Sequence, residues 1–274
     1  MDPGRRQGAD RARGGGGSRL TLTLAEALGI GAGDVVALVG GGGKTTAMFR
    51  LARELVERGE RALTTTTTHI FAAQIALAPA HVSATDATEE TIAAALAAHR
   101  HVLVVGPSDA PTGRAAGVSL ELFGRLRAWC PGVCLLNEAD GSRMRPFKAP
   151  ADHEPATPVE TTLVVPVVGA DIFGKVLDAE HVHRPELVSR LSGAPLGTVV
   201  TPELVARVLA HAEGGLKNVP SGARVVALIN KVETLQDREP ARETAERLLC
   251  ESSIESVVLA AVRGDKPVLE VCTR

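Results

Sequence analysis

The sequence predicts an α/β fold, a mainly parallel sheet flanked by helices. Two observations predict it. Short Val- and Leu-rich runs of buried-strand length alternate along the chain with segments of helical periodicity. The first of these runs leads through a glycine-rich turn directly into an amphipathic helix. Since strands joined through helices run parallel, their carboxyl ends are expected to meet at one edge of the sheet.

The first strand and the first helix are the clearest elements. "DVVALVG" (34–40) is an apolar run typical of a buried strand. The helix that follows carries one apolar stripe at i, i+3, i+4, i+7 and i+8, formed by Met48, Leu51, Ala52, Leu55 and Val56. The opposite face is assigned to Arg50, Arg53, Glu54 and Glu57. Gly59 is placed to end the helix.

The later elements continue the alternation. Further strands are predicted at "RALTTTTTH" (61–69), "HVLVVG" (101–106), "GVCLLNEADG" (132–141), "TTLVVPVVG" (161–169), "ARVVALIN" (223–230) and "IESVVLA" (254–260). Further helices are predicted at "EETIAAALAAH" (89–99), "SLELFGRLRAW" (119–129), "RPELVSRL" (184–191), "TPELVARVLAH" (201–211) and "PARETAERLLC" (240–250). Two of these helices carry proline where the first helical residue is expected, at Pro185 and Pro202.

Composition narrows the class of protein. The chain has 274 residues, 45% of them apolar, and a net charge of −2, which gives no basic surface for nucleic acid. Aromatic residues make up 2% and tyrosine is absent, so base-stacking platforms for single strands are not expected. Four cysteines in a chain of this length indicate reduced thiols, with Cys130 and Cys134 interpreted as buried.

Amino-acid composition along the chain predicts the domain organisation and the cellular location. Residues 1–18 are Gly- and Arg-rich and are predicted to form a disordered tail, and residues 19–274 a single α/β nucleotide-binding domain. No apolar run approaches the roughly 20 residues that span a bilayer. The N-terminus lacks the apolar stretch of a secretory signal, so a cytoplasmic protein without a membrane partner is expected.

The glycine turn predicts a phosphate site of the P-loop NTPase type. Four glycines, Gly40, Gly41, Gly42 and Gly43, stand before Lys44, Thr45 and Thr46. Glycines let backbone N–H groups approach a phosphate, and the helix N-terminus adds its positive dipole end. Lys44 is placed to reach the β- and γ-phosphates, and the Thr45 hydroxyl to bind Mg²⁺. The loop is two residues shorter than the standard G-x-x-x-x-G-K-[ST] pattern, and the alternative is a flexible turn that binds nothing.

Two acidic residues follow the strand at 132–141. Glu138 and Asp140 point to the same face if the chain stays extended, at the sheet edge where ligands bind. They are candidates to hold Mg²⁺ and, with Lys44, for catalysis by orienting the attacking group. The alternative is a polar turn, because Asp-Gly is a common turn dipeptide.

Other polar residues are candidates to contact an anionic substrate. One set follows the threonine run at a strand end: Thr67, Thr68 and His69. A second set is a basic loop after the acidic pair: Arg143, Arg145, Lys148 and His153. A third set lies at 169–186: Asp171, Lys175, His181, His183 and Arg184. The His-x-His spacing in the third set is a weak zinc signal, and a substrate-facing loop is favoured there.

"INKVE" at 229–233 resembles the N-K-x-D base-reading motif of GTPases. Asn230 and Lys231 are candidates to flank a nucleotide base, with Glu233 in place of the aspartate. The longer side chain of Glu233 moves the carboxylate by more than about an ångström, judged from one extra C–C bond. ATP and GTP therefore both remain candidate nucleotides.

The motifs taken together resemble one family. "LTLAEALGIGAGDVVALVGGGGKTTAMFRLA", "TTTTTHI", "NEADGSRMRPFKAPADHEP", "VVPVVGADIFGKVLDAEHVHRPE" and "INKVE", in this order, look like the YqeC-type selenium cofactor biosynthesis protein, also described as a selenium-dependent molybdenum hydroxylase accessory protein. The resemblance covers about residues 20–271. It implies a role in maturing selenium-containing molybdenum hydroxylases, with a selenium or molybdopterin species as substrate and the hydroxylase or its maturation factors as partners. The family's usual residue after "NKV" is aspartate, so Glu233 departs from it.

Three kinds of function stay open at this level. The first is ATP-using phosphoryl transfer or NTP hydrolysis that activates a selenium or molybdopterin species with Mg²⁺. The second is an escort GTPase that delivers a cofactor to a partner enzyme. The third is a non-catalytic scaffold that binds nucleotide for stability. The substrate, the base and the oligomeric state do not follow from the sequence.

Overall fold

A computed structural model describes residues 22–274, so the tail predicted at 1–18 lies outside the described residues. The strands are β1 (Val35–Gly40), β2 (Ala62–Thr66), β3 (His69–Phe71), β4 (His81–Ser83), β5 (His101–Val105), β6 (Ser108–Asp109), β7 (Arg114–Ala116), β8 (Cys134–Glu138), β9 (Phe147–Lys148), β10 (Leu163–Gly169), β11 (Val182–His183), β12 (Arg224–Asn230), β13 (Ser256–Ala260) and β14 (Val268–Thr273). The helices are α1 (Leu24–Ala27), α2 (Lys44–Glu57), α3 (Glu89–His99), α4 (Leu120–Trp129), α5 (Pro185–Ser192), α6 (Pro202–Leu209) and α7 (Leu235–Leu249). Short 3-10 turns lie at Ala72–Leu77 and Ala170–Ile172.

A nine-stranded sheet organises the described residues, in the order β14-β13-β12-β10-β1-β8-β2-β5-β4. Every neighbouring pair in it is parallel except β13 and β14. β1 lies in the middle, with β8 on one side and β10 on the other. The turn after β1 therefore leaves the sheet between the carboxyl ends of two neighbours, which is where ligands bind in open α/β sheets.

Helices cover the two faces unequally. Val36 and Leu38 of β1 point into a core built with α1 and α2. Ala37 and Val39 point to the opposite face, where α5, α6 and α7 pack. α3 and α4 cover the β2–β5 side of that same face. On the face that carries α1 and α2, the outer strands are therefore covered by the 69–79 segment rather than by a long helix.

The structure confirms the predicted α/β class and most of the elements. Both proline-initiated helices begin at the expected residues, Pro185 and Pro202. The last predicted helix begins five residues early, because Thr234 caps it in a reciprocal pair of hydrogen bonds with Asp237, and Pro240 falls inside. β14 and the small sheet of β3, β7 and β6 were not predicted. Their strands are too short, or too exposed, to leave a periodic apolar pattern.

Helix α2 contains one correction. Glu54, assigned to the solvent face, is buried. Its carboxylate accepts a hydrogen bond from the backbone N–H of Ala25 at 2.9 Å and from Arg50 Nε at 2.6 Å. A buried carboxylate is tolerated when its oxygens are paired in this way. Glu54 therefore joins α2 to α1, an element that the sequence reading did not include.

Two smaller points concern the thiols and the bilayer. Cys130 and Cys134 are free and buried, as predicted. Burial raises the pKa of both thiols, so they stay protonated and unreactive at neutral pH. Within residues 22–274, none of the helices has the length and apolar character needed to cross a membrane.

Candidate functional site

The glycine turn is held from both sides by backbone. The N–H of Gly41 donates to Val167 O at 2.9 Å, and the N–H of Gly42 donates to Arg145 O at 3.2 Å. Gly42 has φ of +80°, and a Cβ there would overlap the backbone of Gly169. A side chain would therefore be strained and would also collide. Close backbone approach is the structural reason for glycine here.

Lys44, the first residue of α2, is folded back into the turn. Its ammonium donates to the Gly40 carbonyl at 2.5 Å and lies 3.2 Å from Asp140 Oδ1 and 3.6 Å from Glu138 Oε1. The residue is 3% exposed. Burial by itself lowers the pKa of Lys44, but the carboxylates of Asp140 and Glu138 outweigh it and raise the pKa. Lys44 is therefore a cation at neutral pH.

Thr45 and Glu138 form the second contact of the site. The Thr45 hydroxyl donates to Glu138 Oε2 at 2.6 Å. Glu138 ends β8, which pairs with β1 and β2, so the sheet register fixes this contact. Burial raises the pKa of Glu138, although Lys44 and the Thr45 hydrogen bond oppose the shift. The hydroxyl and the carboxylate together present oxygen ligands toward one point.

Asp140 occupies the backbone cradle itself. Both of its carboxylate oxygens lie 3.0 Å from the Gly40 N–H. On its other side, Lys148 Nζ lies 3.1 Å from Asp140 Oδ2. Glu138 and Asp140 therefore both contact Lys44. In this structure the protein's own carboxylate takes the position beside the turn where an anion would be bound.

Lys148 was predicted to contact an anionic substrate, but the structure places it inside the protein. It is 3% exposed, lies on β9, and also donates to Gly141 O at 2.8 Å and to Glu154 Oε2 at 2.6 Å. Glu154 in turn accepts from Arg184 at 2.6 Å. Burial would raise the pKa of Glu154, but Arg184 and Lys148 hold it at about 2. Alternating charges thus run from Lys44 to Arg184, and Lys148 and Arg184 support Asp140 instead of lining the cavity.

A cavity of about 290 Å³ opens in front of the turn. The lining contains Gly43, Lys44, Thr45, Thr46, His69, Ile70, Phe71, Gln74, Arg114, Glu138, Gly141, Ser142, Arg143, Met144, Arg145, Lys231 and Arg263. The predicted residues Thr46, His69, Arg143, Arg145 and Lys231 are thereby brought together with Lys44, Thr45 and Glu138. Cations dominate this lining, and Glu138 is its one carboxylate.

Two arginines of this cavity were missed. Arg114 begins β7, which pairs with β3, and its guanidinium lies 5.4 Å from the centre of the Phe71 ring. The Pro-Thr-Gly turn before it was a hairpin signal. Arg263 follows β13, so the rule that ligands bind at the carboxyl ends of parallel strands would have found it.

The threonines beside this cavity serve the fold. The Thr67 hydroxyl donates to Ala156 O at 2.7 Å and accepts from Asn137 Nδ2 at 3.1 Å. The backbone N–H of Thr68 donates to the Thr66 hydroxyl at 3.1 Å. Neither Thr67 nor Thr68 lines the cavity. Of the predicted group at the end of β2, only His69 reaches it.

The 229–233 segment is held by the glycine turn. Asn230 Nδ2 donates to Gly42 O at 2.8 Å, and Asn230 Oδ1 accepts from the backbone N–H of Val262 at 3.1 Å. Lys231 Nζ lies 2.7 Å from Asp171 Oδ2. Glu233 is exposed and lines no part of the cavity. Asn230 therefore positions the turn, while base reading by Glu233 stays a prediction.

None of the remaining predicted substrate residues lines the cavity at the turn, although Asp171 pairs with Lys231, which does. His153 is exposed. Asp171 and Lys175 border a different cavity, of about 670 Å³. His181 contacts Asp178 at 2.8 Å, and the ligand atoms of Asp178, Glu180 and His181 cluster without including His183. Burial, with Arg184, Lys148 and Arg143 nearby, lowers the pKa of His183 to about 4, so it offers no positive charge to an anion at neutral pH.

The residues at the turn fit Mg²⁺ and a phosphate chain. Mg²⁺ prefers oxygen ligands, and the Thr45 hydroxyl and the carboxylates of Glu138 and Asp140 provide them. The turn, the N-terminus of α2 and Lys44 provide the donors and the charge that a phosphate needs.

The central β1, the glycine turn, the Lys-Thr start of α2 and the flanking parallel strands define an α/β protein of the P-loop NTPase type. The chain belongs to the YqeC protein family, whose model matches residues 36–186, more than half of the chain. It is 34% identical over 205 residues to the uncharacterized protein YqeC of Escherichia coli (strain K12), across 72% of this chain and 75% of that protein.

Solved structures give more distant similarities. FlhF complexed with GTP/Mg(2+) is 15% identical with a TM-score of 0.38, over 88% of this chain and 69% of that chain. The signal recognition particle receptor FtsY from Elizabethkingia anophelis is 11% identical with a TM-score of 0.32, over 85% of this chain and 51% of that chain.

Proposed function

We propose that this protein binds a nucleoside triphosphate with Mg²⁺ at the glycine turn and uses it for phosphoryl transfer or hydrolysis. One observation carries the proposal. Lys44 and Thr45, at the start of α2, contact Glu138 and Asp140, at the end of the neighbouring strand, beside one open cavity. This arrangement places a phosphate-binding cation next to a hard-cation ligand set, which is the pairing that phosphoryl transfer requires.

The charge of the cavity supports a polyanionic ligand. Arg114, Arg143 and Arg145 line it, and among the described residues none of the three forms an ion pair with a carboxylate. Guanidinium groups that face a cavity without a carboxylate partner favour a phosphate or another oxyanion there. The same wall suits a small anionic acceptor facing the turn.

The residues have distinct roles in this proposal. Lys44 exchanges its contact with Asp140 for the β- and γ-phosphates, and the backbone amides at the N-terminus of α2 bind the phosphate oxygens. Thr45, Glu138 and Asp140 hold the Mg²⁺, directly or through water. When bound, Mg²⁺ neutralises the charge that develops on the phosphate oxygens. A carboxylate that held Mg²⁺ only through water would be placed to orient the attacking group.

The proposal also names the biological process in which the protein acts. The family resemblance supports a role as an accessory protein in selenium cofactor biosynthesis and maturation of selenium-dependent molybdenum hydroxylases. A selenium or molybdopterin species would be the anionic substrate, and a molybdenum hydroxylase or its maturation factors the partner, in the cytoplasm. The escort GTPase and the non-catalytic scaffold remain the alternatives. Multiple-turnover hydrolysis and its dependence on substrate separate the three.

The test is titration of the purified protein with ATP and GTP, each with Mg²⁺, by calorimetry. The Lys44→Ala variant should lose measurable affinity for both. Because Lys44 neutralises buried carboxylates, this variant is also expected to be less stable, so it is compared at a temperature where circular dichroism shows it folded. Exposed Lys266→Ala is the matched control. Full triphosphate affinity in folded Lys44→Ala would refute the glycine-turn site.

A further inference from the structure

A second, larger cavity of about 610 Å³ runs along α2 beside the first one. Its walls combine the apolar side chains of Phe49, Val56, Leu77 and Pro79 with His101 and with a charged part. The charged part is formed by Arg50, Arg53, Glu57 and Arg263. None of these residues has a role in the function proposed above. The volume lies within the range of roughly 300–1,000 Å³ that is typical of small-molecule sites.

This cavity exists because of the unequal covering of the sheet. On the face that carries α2, no long helix among the described residues covers β5, and the 69–79 segment packs there instead. Phe49 packs against that segment, and its ring centre lies 6.0 Å from that of His101. Burial lowers the pKa of His101 to about 4, and its Nε2 lies 2.9 Å from the Thr64 hydroxyl. The base of the cavity is thus an uncharged aromatic surface.

The two cavities share part of their lining. Thr46 and Arg263 line both of them. The loop with Arg263 is fixed in place, because Arg50 donates to Gly264 O at 2.7 Å and Asn230 holds the Val262 N–H. A nucleotide whose triphosphate chain lies over Gly43–Thr45 would have this second cavity next to it, on the other side of Thr46.

The size and polarity of the two cavities favour phosphates at the turn and the nucleoside in the cavity along α2. The cavity at the turn, about 290 Å³ and lined by six Lys and Arg side chains, lies at the lower limit for a small-molecule site, and it suits phosphates better than a nucleoside. The alternative place for the base is the 229–233 segment. Asn230 is used by the turn, and Glu233 lines neither cavity. Lys231 lines the cavity at the turn, but its ammonium is paired with Asp171 Oδ2 at 2.7 Å.

We infer that the base and ribose of the bound nucleotide lie in the cavity along α2, with the base against Phe49. This inference rests on the proposed function. An aromatic and aliphatic surface binds any flat ring, since every base has a π-face. Adenine and guanine nucleotides should therefore bind with affinities within about tenfold of each other, the size of effect that differences in stacking alone produce.

The experiment compares ligands with and without a nucleoside. Dissociation constants of ATP, GTP and inorganic tripolyphosphate, each with Mg²⁺, are measured by calorimetry on the full chain. Leu77→Trp fills the cavity from a side chain that is 57% exposed, so the fold is expected to survive. Leu196→Trp, at an equally exposed leucine that lines neither cavity, is the control. Phe49→Ala is the second variant, with folding checked by denaturation.

The expected result is selective. In Leu77→Trp and Phe49→Ala, ATP and GTP affinity should fall by about tenfold or more, the size of a lost base–aromatic contact, while tripolyphosphate affinity is unchanged. Unchanged nucleotide affinity in both variants would overturn the inference and leave the proposed function standing, as would equal weakening of nucleotide and tripolyphosphate. If the unaltered protein binds neither ligand, the proposed function itself fails, and the inference fails with it.

Discussion

Buried charges dominate the site at the scale of single residues. Lys44 is 3% exposed, Asp140 1% and Glu138 7%, and each has an oppositely charged partner within 3.6 Å. Removing one member of a buried pair leaves the other uncompensated, which costs roughly 3–5 kcal/mol. Such an arrangement is unfavourable for stability alone. Because this cluster of buried charges lies beside a glycine turn, we expect a bound ligand to replace some of its contacts.

Neutralising the two acids should separate metal binding from nucleotide binding. Glu138→Gln and Asp140→Asn keep the shape of each side chain but remove its charge. If these carboxylates hold Mg²⁺ or orient the attacking group, steady-state turnover should fall by about a hundredfold or more. Nucleotide affinity measured without Mg²⁺ should survive. Near-normal turnover in both variants would identify the segment as a structural turn.

His101 predicts how stability depends on pH. Its pKa in the folded protein is about 4, compared with the ordinary value of 6.5. Between these values the unfolded chain binds a proton that the folded protein does not, so stability falls as the pH is lowered from about 6.5 to 4. The loss from this residue is at most about 3 kcal/mol. Urea denaturation at several pH values gives the free energy of unfolding as a function of pH. This free energy should change less steeply with pH in His101→Gln than in the unaltered protein. The same dependence on pH in both proteins would contradict the lowered pKa of His101.

The glycine turn behaves as one element because its neighbours hold it. β10 accepts from Gly41, residue 145 accepts from Gly42, and Asn230 donates to the Gly42 carbonyl. The start of α2 is therefore fixed before any ligand arrives. A preorganised turn spends less binding energy on ordering its own backbone.

Two glycines with the same backbone conformation allow a matched test. Gly42 has φ of +80° and Gly59 has φ of +82°, but only at Gly42 does backbone occupy the space of a new Cβ. Gly59→Ala should lose about 1–2 kcal/mol through backbone strain alone. Gly42→Ala should lose clearly more and should also lose triphosphate affinity. Thermal denaturation and calorimetry of both variants decide this, and equal losses of stability would show that the turn is not tightly enclosed.

At the scale of the whole molecule, several strand ends assemble the candidate site. β1 supplies the turn, β8 the acids, β12 Asn230 and β13 the loop with Arg263, while β3 and β7 place His69 and Arg114 at its rim. An ion-pair chain through Lys148 and Glu154 links the turn to the start of α5. The turn and the N-terminus of α5 therefore belong to one network of charged side chains.

The position of Glu233 makes a prediction about base selectivity. A guanine site needs a carboxylate that accepts two N–H bonds, and such sites discriminate strongly when one partner is missing. Glu233 is exposed and remote from both cavities. The unaltered protein should prefer ATP or show only a weak preference, and Glu233→Asp should change little. Competition binding tests this, and strong GTP selectivity would instead support the escort GTPase.

The sequence by itself determined the α/β class, the order of the main elements and the residues of the glycine turn. Apolar runs and helical periodicity are local, so they are visible along the chain. It also indicated that Glu138 and Asp140 lie near the glycine turn, because the carboxyl ends of parallel strands share one edge. The family resemblance is likewise carried by motifs in order.

Only the tertiary structure decided which polar residues line the cavity at the turn. Lys148 and Thr67 belong to the fold, while Arg114 and Arg263 reach the site from distant segments. Burial and pairing depend on contacts between elements far apart in the chain, and residue type alone does not reveal them. The cavity along α2 has the same origin, since it results from the way two faces of one sheet are covered and no local pattern encodes that.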